Sequence, residues 1–395
     1  MKVFIKGSTS CMNRKGDLYR YHKYIESCGH KMVQNPEEAD AILVWSCSFR
    51  EDYKENSYKV LKECQEKYSG EVILCGCLSS IDPNGVQNKW NGKVISWKNQ
   101  DQDMPKMFGD GEKNFHETPR TYGEIPIENI ERFKNDHPEV KVVFHDQYIK
   151  LFISEGCSLN CTYCSDIRAF PKYKSFPLES LIREAKALID FTGQKRFLFC
   201  GDSIGEYGRE FGKTLMDLNH AILAIDPEVQ VGFNNINPLH LLNYLPAMIE
   251  LFRQSRICFM DLPIQSADDR VLKLMGRGYN RQEIATLFGQ INSTGFKELE
   301  TDVLIGFPTE SEDEFKRTVD FLCEYKPKYV QVSAFMPVTG SKAFDMTGQI
   351  DPTITAQRLA ILKETLTKEG ILYDKGGSNV VKDWPFLQVD SCACG

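Results

Sequence analysis

Residues 155–164 read EGCSLNCTYC and place three cysteines in a C-x3-C-x2-C array, at Cys157, Cys161 and Cys164. The array follows an apolar run, KLFIS. Zinc usually takes four protein ligands, and no fourth candidate lies nearby in the sequence. Thiolates also hold 4Fe-4S clusters, and a cluster held by only three thiolates keeps one iron open to a further ligand. The array therefore predicts a cluster that can bind a substrate directly.

From residue 150 onward, apolar runs of strand length alternate with segments long enough for crossover helices. Apolar residues from Leu178 to Ile189 share one helical stripe, and Gly193 follows as an expected C-cap. Ser311 and Glu314 fit a capping box at a later helix start. Six β/α units predict a partial parallel barrel with its site at the carboxyl ends of the strands. The six runs are KLFIS, KRFLFCGD, VQVGFNN, RICFMDLPIQS, ELETDVLIGFP and KYVQVSAFMP.

The first hundred residues predict a smaller parallel α/β unit with strands VFIKG, AILVWSC and EVILCGC. Cys11 follows the first run, Cys47 ends the second and Cys77 ends the third, about one βαβ repeat apart. Parallel strands end at one edge of a sheet, so we expect these cysteines to meet there. Buried cysteine is also a common small apolar residue, and that interpretation stays open on spacing alone.

The chain has 395 residues, 14 cysteines and a formal net charge of −7. The length suggests two or three domains. No apolar run is long enough to span a membrane, and the N-terminus lacks a secretion signal, so we expect a cytoplasmic protein with reduced thiols. Cysteines in that setting usually bind metals or act in catalysis. The acidic balance disfavours a broad nucleic-acid-binding surface, while a local basic groove remains open.

The cysteine array, with Tyr163 just before its last cysteine, resembles the signature of radical S-adenosylmethionine (SAM) enzymes. In that superfamily the open iron chelates the amino and carboxylate groups of SAM. Electron transfer then cleaves SAM to methionine and a 5′-deoxyadenosyl radical, which abstracts a hydrogen atom. The resemblance implies a 4Fe-4S cluster on the three array cysteines, SAM as cofactor, and an electron donor such as flavodoxin or ferredoxin.

Residues 1–365 resemble the radical-SAM methylthiotransferases, which thiomethylate tRNA adenosines or a ribosomal-protein aspartate. The resemblance implies an α/β chain with a small flavodoxin-like parallel domain followed by a partial (β/α)6 radical-SAM barrel. It also implies a second 4Fe-4S cluster on Cys11, Cys47 and Cys77. The matching segments are SCMNRKGD, EADAILVWSCSFRED, VILCGCLSS, FLFCGDSIGEYG, LPIQSADDRVLKLMGRGYNRQE, TDVLIGFPTESEDEF and FMPVTGSKAFDM.

The same resemblance implies that the segments after the barrel strands approach SAM. Gly201 and Gly306 would let the backbone come close, and polar groups at strand ends would suit the methionine, the ribose or the substrate. Each could equally be a satisfied loop residue. No catalytic residue is assigned. The candidate cofactor-binding residues are Tyr163, Gly201, Asp202, Gln265, Ser266, Asp302 and Gly306. The cysteines predicted to serve packing are Cys28, Cys64, Cys75, Cys200, Cys258 and Cys323.

Four positions depart from the family pattern. Trp45 stands where the family usually has asparagine. After the cysteine array, Ile167 and the residues that follow it depart from the family's usual proline-then-arginine pattern. QSADD replaces the common QSGS, and Thr309 replaces the glycine of GFPGET. These changes fall near the cofactor or substrate region, so they bear on the substrate more than on the chemistry.

The expected division is 1–97 for the N-terminal domain, 98–147 for a linker with a short hairpin or helix, 148–370 for the barrel and 371–395 for a short tail. About 25 residues after the last helix pattern are too few for the TRAM β-barrel that usually ends the family. We expect the tail to fold back toward the barrel or the N-terminal domain, through Trp384, Pro385 and Phe386, and to shield the radical. Cys392 and Cys394 could supply a cluster or sulfur ligand, but a mobile terminus is favoured.

The leading functional prediction is replacement of a C–H bond by C–S–CH3 on a peptide or protein, using two SAM molecules and two 4Fe-4S clusters. A tRNA substrate would need phosphate contacts, and it is less favoured because the acidic balance and the missing TRAM domain weigh against it. A radical-SAM enzyme that forms a thioether or carbon crosslink in a peptide is a further alternative, and an iron–sulfur carrier or sensor is the non-enzymatic one. We expect a monomer without membrane contact.

Overall fold

The computed structural model describes residues 1–8, 15–48, 51–112, 114–118, 148–165, 169, 173–373 and 387–389. The first of two parallel sheets contains the strands β1 (Lys2–Gly7), β2 (Lys31–Met32), β3 (Ala41–Ser46), β4 (Glu71–Gly76), β5 (Lys93–Val94) and β15 (Leu387–Val389). Their order in the sheet is β15-β1-β3-β4-β5, with β2 also beside β1. Its helices are α1 (Lys15–Ser27), α2 (Glu51–Lys67), α3 (Leu78–Ile81), α4 (Pro83–Lys89) and α5 (Gln100–Phe108).

Both faces of this sheet are covered. All six residues of β3 are buried, as expected for a central parallel strand whose sequence is apolar throughout. Leu43 and Trp45 pack on one side with α1 and α5, whereas Ile42 and Val44 pack on the other side with α2. The alternation follows from the two-residue period of a strand. The predicted N-terminal α/β unit is thereby confirmed.

The segment 98–147, predicted to be a linker with a short hairpin or helix, begins with helix α5. Helix α5 and a turn at Phe115–Glu117 pack onto the N-terminal core, where Met104, Phe108 and Phe115 are buried. Phe115 meets the ring of Tyr21 edge-on at 5.2 Å between centroids. These apolar side chains are widely spaced among polar ones, so the sequence pattern alone resembles a linker. Residues 119–147 lie outside the described part of the chain.

The second sheet has the order β14-β13-β12-β11-β10-β9-β6, and all of its pairings are parallel. The six predicted strands form the partial barrel as expected, and a short seventh strand lies beyond residue 370, where a tail was predicted. The strands are β6 (Ile149–Phe152), β9 (Arg196–Cys200), β10 (Gln230–Phe233), β11 (Ile257–Asp261), β12 (Leu299–Ile305), β13 (Tyr329–Ala334) and β14 (Leu372–Tyr373). A separate antiparallel pair joins β7 (Ser154–Glu155) to β8 (Lys174–Ser175).

The barrel helices begin and end where the sequence indicates. Gly193 ends α6 in the left-handed conformation at φ +68°, and Ser311 and Glu314 form the predicted capping box of α11. The helices are α6 (Leu178–Thr192), α7 (Leu215–Leu223), α8 (Pro238–Arg253), α9 (Asp269–Met275), α10 (Arg281–Ser293), α11 (Glu312–Tyr325) and α12 (Pro352–Lys368). Among the described residues, no helix combines the length and apolarity that crossing a membrane requires.

Part of the C-terminal tail adds a strand to the N-terminal sheet. β15 runs parallel to β1, with Ile5 opposite Leu387 and Gly7 opposite Val389. The tail therefore reaches the N-terminal domain, one of the two destinations predicted for it. Trp384, the Pro-Phe pair after it and the two tail cysteines lie outside the described residues.

Candidate functional site

The cysteine loop leaves the barrel at the carboxyl end of its first strand, where parallel barrels place their sites. Cys157, Cys161 and Cys164 are all half-buried in this loop. The backbone N–H of Leu159 donates to the Cys157 sulfur at 3.4 Å, and that of Cys164 donates to the Cys161 carbonyl at 3.2 Å. Burial raises the pKa of the Cys157 thiol to about 11. Binding of a metal would have to offset that burial, because the thiolate is the ligand form.

Helix α9 holds the far side of the loop. Its last residues accept two hydrogen bonds from Thr162: the backbone N–H reaches the Met275 carbonyl at 2.9 Å, and the hydroxyl reaches the Leu274 carbonyl at 2.8 Å. The Thr162 carbonyl accepts the Ala343 N–H at 2.8 Å. Tyr163 packs against an apolar cluster that includes Met275. The conformation of the cysteine loop is thus imposed by segments that follow the fourth and sixth barrel strands.

Two carboxylates that follow β9 hold the near side of the cysteine loop. Asp202 accepts the backbone N–H of Gly156 at 2.8 Å, and Glu206 accepts the backbone N–H of Ser158 at 3.1 Å. Glu206 also accepts from the Ser158 hydroxyl and from Arg209. Asp202 was predicted as a SAM contact, and in the structure its carboxylate accepts a hydrogen bond from the cysteine loop. The two carboxylates therefore fix the residues on either side of Cys157.

Burial opposes ionisation of Glu206, but hydrogen bonds from Ser158 and the nearby Arg209 charge outweigh it, so the pKa of Glu206 is lowered. The carboxylate is therefore ionised at neutral pH and remains an acceptor. Sequence reasoning missed Glu206, although it lies within the FLFCGDSIGEYG segment. Its role depends on the approach of Ser158, 48 residues earlier in the chain.

Sequence reasoning also missed Arg277, which is buried beside the loop. Its Nη1 donates to the Cys161 sulfur at 3.4 Å and to the Tyr163 hydroxyl at 2.9 Å. Its Nε donates to the Tyr279 hydroxyl at 2.7 Å, and its Nη2 donates to the Pro263 carbonyl at 2.9 Å. The available signal was an arginine between two glycines in the MGRGY segment. Tyr163, predicted as a cofactor contact, is here a partner of this arginine.

Three of the predicted SAM contacts have packing explanations. A Cβ on Gly201 would lie 2.6 Å from the Ser154 hydroxyl oxygen, and one on Gly306 would lie 2.5 Å from the Thr355 hydroxyl oxygen. Ser266 is buried, lies 3.4 Å from the Thr318 hydroxyl and accepts the Asp268 N–H at 3.2 Å. These contacts account for the residue types without a ligand.

Gln265 has an unusual backbone conformation at the end of the fourth barrel strand. Its φ is +65°, which residues other than glycine rarely adopt. The Gln265 N–H donates to the Asp302 carbonyl at 2.8 Å, and its carbonyl accepts the Leu304 N–H at 2.9 Å. These two hydrogen bonds to β12 therefore stabilise the strained backbone conformation of Gln265. Strained residues of this kind often lie at functional sites.

Three carboxyl groups line the inner face of the barrel. Asp261 pairs with Glu300 across β11 and β12, and Asp302 follows on the same face because side chains alternate along a strand. Burial, with the negative charge of Glu300, raises the pKa of Asp302 to about 7. Asp261 is 8% exposed, and its Oδ1 has no hydrogen-bond partner among the described residues. The inner face thus offers at least one buried carboxyl oxygen, Asp261 Oδ1, that could accept a hydrogen bond from a polar ligand.

His240 adds a second unsatisfied group near the cysteine loop. Its Nε2 is buried without a partner among the described residues, and burial lowers the pKa of the ring. The backbone at Gly205 passes so close that a Cβ there would lie 2.4 Å from the His240 Cβ. The imidazole is held neutral beside Glu206, whose charge acts in the opposite direction on its pKa. Such orphaned polar atoms fit a bound polar cofactor.

The second predicted cysteine set lies at the carboxyl edge of the N-terminal sheet. Ser46 pairs with Gly76, so Cys47 and Cys77 each stand one residue beyond paired positions on adjacent strands. The Cys77 N–H donates to the Ser46 carbonyl at 3.2 Å. Cys11, the third member, lies outside the described residues. The structure therefore brings two of the three together.

The surroundings of this edge suit a bound group. Ser48, next to Cys47, is buried, and its hydroxyl has no partner among the described residues. Gly76 has φ +89°, and a Cβ there would lie 2.4 Å from the Ser46 carbonyl oxygen. Cys75 is fully buried and donates to the Val44 carbonyl at 3.3 Å, in agreement with its predicted packing role. Only glycine at position 76 lets the chain turn at this edge.

No group of three histidine, cysteine, aspartate or glutamate side chains converges to hold a single metal ion, within the part of the chain that the structure describes. A 4Fe-4S cluster makes a different demand, because each thiolate binds a different iron and the thiolates need not share one point. Three half-buried cysteines in one loop, with N–H donors on the sulfurs of Cys157 and Cys161, fit that demand.

Comparisons with known proteins agree with this geometry. Residues 151–322 match the radical SAM superfamily model, and residues 2–95 match the model described as uncharacterized protein family UPF0004. The chain is 28% identical over 349 residues to a probable threonylcarbamoyladenosine tRNA methylthiotransferase of Pyrococcus horikoshii, covering 87% of this chain and 79% of that protein. It is also 28% identical to the ribosomal protein uS12 methylthiotransferase RimO of Nitratiruptor sp., covering 86% and 76%.

A solved structure of the radical SAM methyltransferase TsrM from Kitasatospora setae shares the fold, with a TM-score of 0.58 at 11% identity over 86% of this chain and 75% of that one. At that identity the likeness concerns the fold alone. The two family models and the relatives lead to one conclusion about the family. The chain belongs to the radical-SAM methylthiotransferases, enzymes that use 4Fe-4S clusters and SAM and that transfer a sulfur-containing group.

Proposed function

We propose that this enzyme replaces a C–H bond by C–S–CH3 on a peptide or protein substrate. In this proposal Cys157, Cys161 and Cys164 hold the cluster that binds SAM, while Cys11, Cys47 and Cys77 hold a second cluster. The observation that carries the proposal is the position of the cysteine loop after the first barrel strand, together with Cys47 and Cys77 at the carboxyl edge of the N-terminal sheet. When bound, the first cluster supplies the electron that cleaves SAM, and the second supplies an open iron for the sulfur.

The residues of the chain would orient and isolate these groups. Asp202 and Glu206 hold the backbone on both sides of Cys157, and α9 holds Thr162. The unsatisfied Nε2 of His240 and Oδ1 of Asp261 would accept or donate hydrogen bonds to the polar parts of SAM or of the substrate. Their burial keeps water away, and an unsatisfied buried group gains most from a ligand that meets it.

A peptide is favoured over RNA by the acidic composition of the chain, whose net charge is −7. Asp261, Glu300 and Asp302 line the inner face of the barrel, where their carboxyl oxygens can accept hydrogen bonds from the N–H groups of a peptide. The matched relatives are named for tRNA in one case and for a ribosomal protein in the other.

The cluster assignments are tested by anaerobic reconstitution. The intact chain should bind two 4Fe-4S clusters, about eight iron atoms. Cys157→Ala should keep about four and lose SAM cleavage, whereas Cys47→Ala should lose about four and keep SAM cleavage. Cys64→Ala, at a buried cysteine of α2, is the matched control and should keep all the iron. About four iron atoms in the intact chain would contradict the two-cluster assignment.

The substrate class is tested with SAM that carries a labelled methyl group. Reconstituted enzyme, a reductant and sulfide are incubated separately with protein extract and with total tRNA from the cell that encodes the enzyme. Label in the protein fraction, with a mass gain of one sulfur atom and one CH2 unit on a peptide, would support the proposal. Label confined to tRNA would overturn the peptide assignment and leave the methylthio transfer intact.

The by-products separate methylthio transfer from crosslinking. Transfer should release 5′-deoxyadenosine and methionine from one SAM molecule and S-adenosylhomocysteine from another. A thioether or carbon crosslink would instead remove two hydrogen atoms from the peptide and release no S-adenosylhomocysteine. The second pattern would contradict the proposal even if both clusters were present.

A further inference from the structure

Arg277 is held in place by four hydrogen bonds. It donates to Tyr279, Tyr163, Pro263 and the sulfur of Cys161, and the Tyr279 hydroxyl in turn lies 2.9 Å from the Ile264 carbonyl. The residue is 5% exposed. A guanidinium fixed in this way points one N–H at Cys161 and has little freedom to move away.

The positive charge of Arg277 has no carboxylate partner within salt-bridge distance among the described residues. Its partners are two phenols, a carbonyl and a thiol. The charge lowers the pKa of Asp302, but burial and Glu300 outweigh it, so that carboxyl is held toward its neutral form. A buried cation normally requires an anion nearby, because removal from water is costly. The groups placed to supply the negative charge are the thiolates of the cysteine loop.

We propose that Arg277 is a positioning residue that raises the reduction potential of the cluster on Cys157, Cys161 and Cys164 through its hydrogen bond to the Cys161 sulfur. This inference rests on the proposed assignment of that cluster. Hydrogen bonds to cluster sulfurs and local charge are known determinants of the potential. Reduction adds one negative charge, so a fixed cation a few ångströms away stabilises the reduced form more than the oxidised form.

The arrangement of its partners explains why arginine, and not lysine, suits this position. Nε is engaged by Tyr279 and Nη2 by Pro263, which leaves Nη1 aimed at Tyr163 and Cys161. A lysine would carry the same charge without the planar fork that fixes its direction. The conservative variant should therefore keep part of the electrostatic effect and lose the hydrogen-bond geometry.

The test measures a potential in the full-length chain. Replacing both Cys47 and Cys77 with alanine leaves the loop cluster as the only expected one. In that background Arg277→Gln, Arg277→Lys and Arg270→Gln are compared by redox titration monitored by EPR. Arg270 lies on the adjacent α9 and is half exposed, where it pairs with Glu314, so its removal is the matched loss of one positive charge.

Arg277→Gln should shift the one-electron equilibrium at least tenfold toward the oxidised cluster, which corresponds to about 59 mV. Arg277→Lys should fall between Gln and Arg, and Arg270→Gln should leave the potential unchanged. An unchanged potential in Arg277→Gln with about four iron atoms retained would overturn the inference. If that variant loses its iron, an unchanged potential in Arg277→Lys overturns it instead. Absence of iron from the background chain itself would refute the cluster assignment, which is a separate result.

Discussion

The carboxylate of Glu206 accepts hydrogen bonds from both the backbone N–H and the hydroxyl of Ser158, the residue after Cys157. Glu206→Ala should therefore loosen the cysteine loop, because hydrogen bonds to a charged group contribute about 1.5–3 kcal/mol. We expect reconstituted Glu206→Ala to retain about four iron atoms, all at the second cluster, or to lose iron from the loop cluster much faster on exposure to a chelator. Iron analysis before and after chelation measures this.

The matched control for that variant is Glu210→Ala. Glu210 accepts the Ser175 N–H at 2.7 Å and the Ser175 hydroxyl at 2.9 Å, which is the same pattern on a different segment. Glu210→Ala should keep its iron. Equal iron loss in the two variants would mean that Glu206 has no specific role in holding the cysteine loop.

Gly76→Ala should destabilise the N-terminal sheet more than Gly29→Ala. Both glycines have positive φ, +89° and +78°, so alanine at either position is strained by about 1–2 kcal/mol. At Gly76 the new Cβ would also lie 2.4 Å from the Ser46 carbonyl oxygen, whereas nothing lies within 4 Å at Gly29. We expect Gly76→Ala to lose about 1–3 kcal/mol more in urea unfolding. Equal losses would show that the backbone conformation alone requires glycine at 76.

Glu314 should make stability depend on pH in the acid range. A hydrogen bond from Arg270, opposed by burial and reinforced by Ser311, lowers the pKa of Glu314 to about 2 from 4.5. A lowered carboxyl pKa stabilises the fold above pH 4.5, and that contribution is lost as pH falls toward 2. Glu314→Gln should cost about 1–2 kcal/mol at pH 7 and progressively less below pH 4.5.

Urea unfolding of the iron-free chain across this pH range measures the effect. Asp313→Asn removes a carboxylate from the same first turn of α11 and is the control. Its effect should be smaller at every pH. A constant difference between wild type and Glu314→Gln from pH 7 to 3 would contradict the assigned ion pair.

Ending the chain after Lys375 removes β15 and should open the edge of β1. Amide hydrogens of Ile5 and Gly7, which face β15, should exchange faster because that strand is gone. Both clusters should remain, and 5′-deoxyadenosine formed without substrate should increase if the tail shields the radical. Gln388→Pro, which disturbs the three-residue strand opposite Lys6, should produce a weaker form of the same result. Unchanged exchange and unchanged abortive SAM cleavage would leave the tail without a role.

Much of the fold could be predicted because it depends on local patterns. The apolar run of β3 and the Ser311 capping box are patterns formed by residues close together in the sequence. Cys47 and Cys77 come to one edge because the strands before them are parallel neighbours. The site was predicted less completely. Glu206 and Arg277 act on residues 48 and 116 positions away, and no local pattern marks such a partner.

Residues that look functional in a motif can also be explained by packing. Gly201 and Gly306 stand in segments that the resemblance assigns to cofactor binding, yet Ser154 and Thr355 occupy the space beside them.

At Thr309 the backbone conformation favours glycine but the residue is threonine. It stands where the family has glycine, and its φ of +66° is the conformation that glycine would favour. Its carbonyl accepts a hydrogen bond from Arg270 at 2.6 Å, which helps to hold that conformation.

The pairing of β15 with β1 also has a consequence for biosynthesis. Ile5 leaves the ribosome among the first residues, but Leu387, its partner, is made only after the whole barrel has been translated. Until then the outer edge of β1 presents unpaired backbone groups beyond the short β2. The N-terminal domain therefore completes its sheet only after the barrel that follows it has been made. For most of their synthesis, nascent chains should expose a strand edge that can pair with another chain.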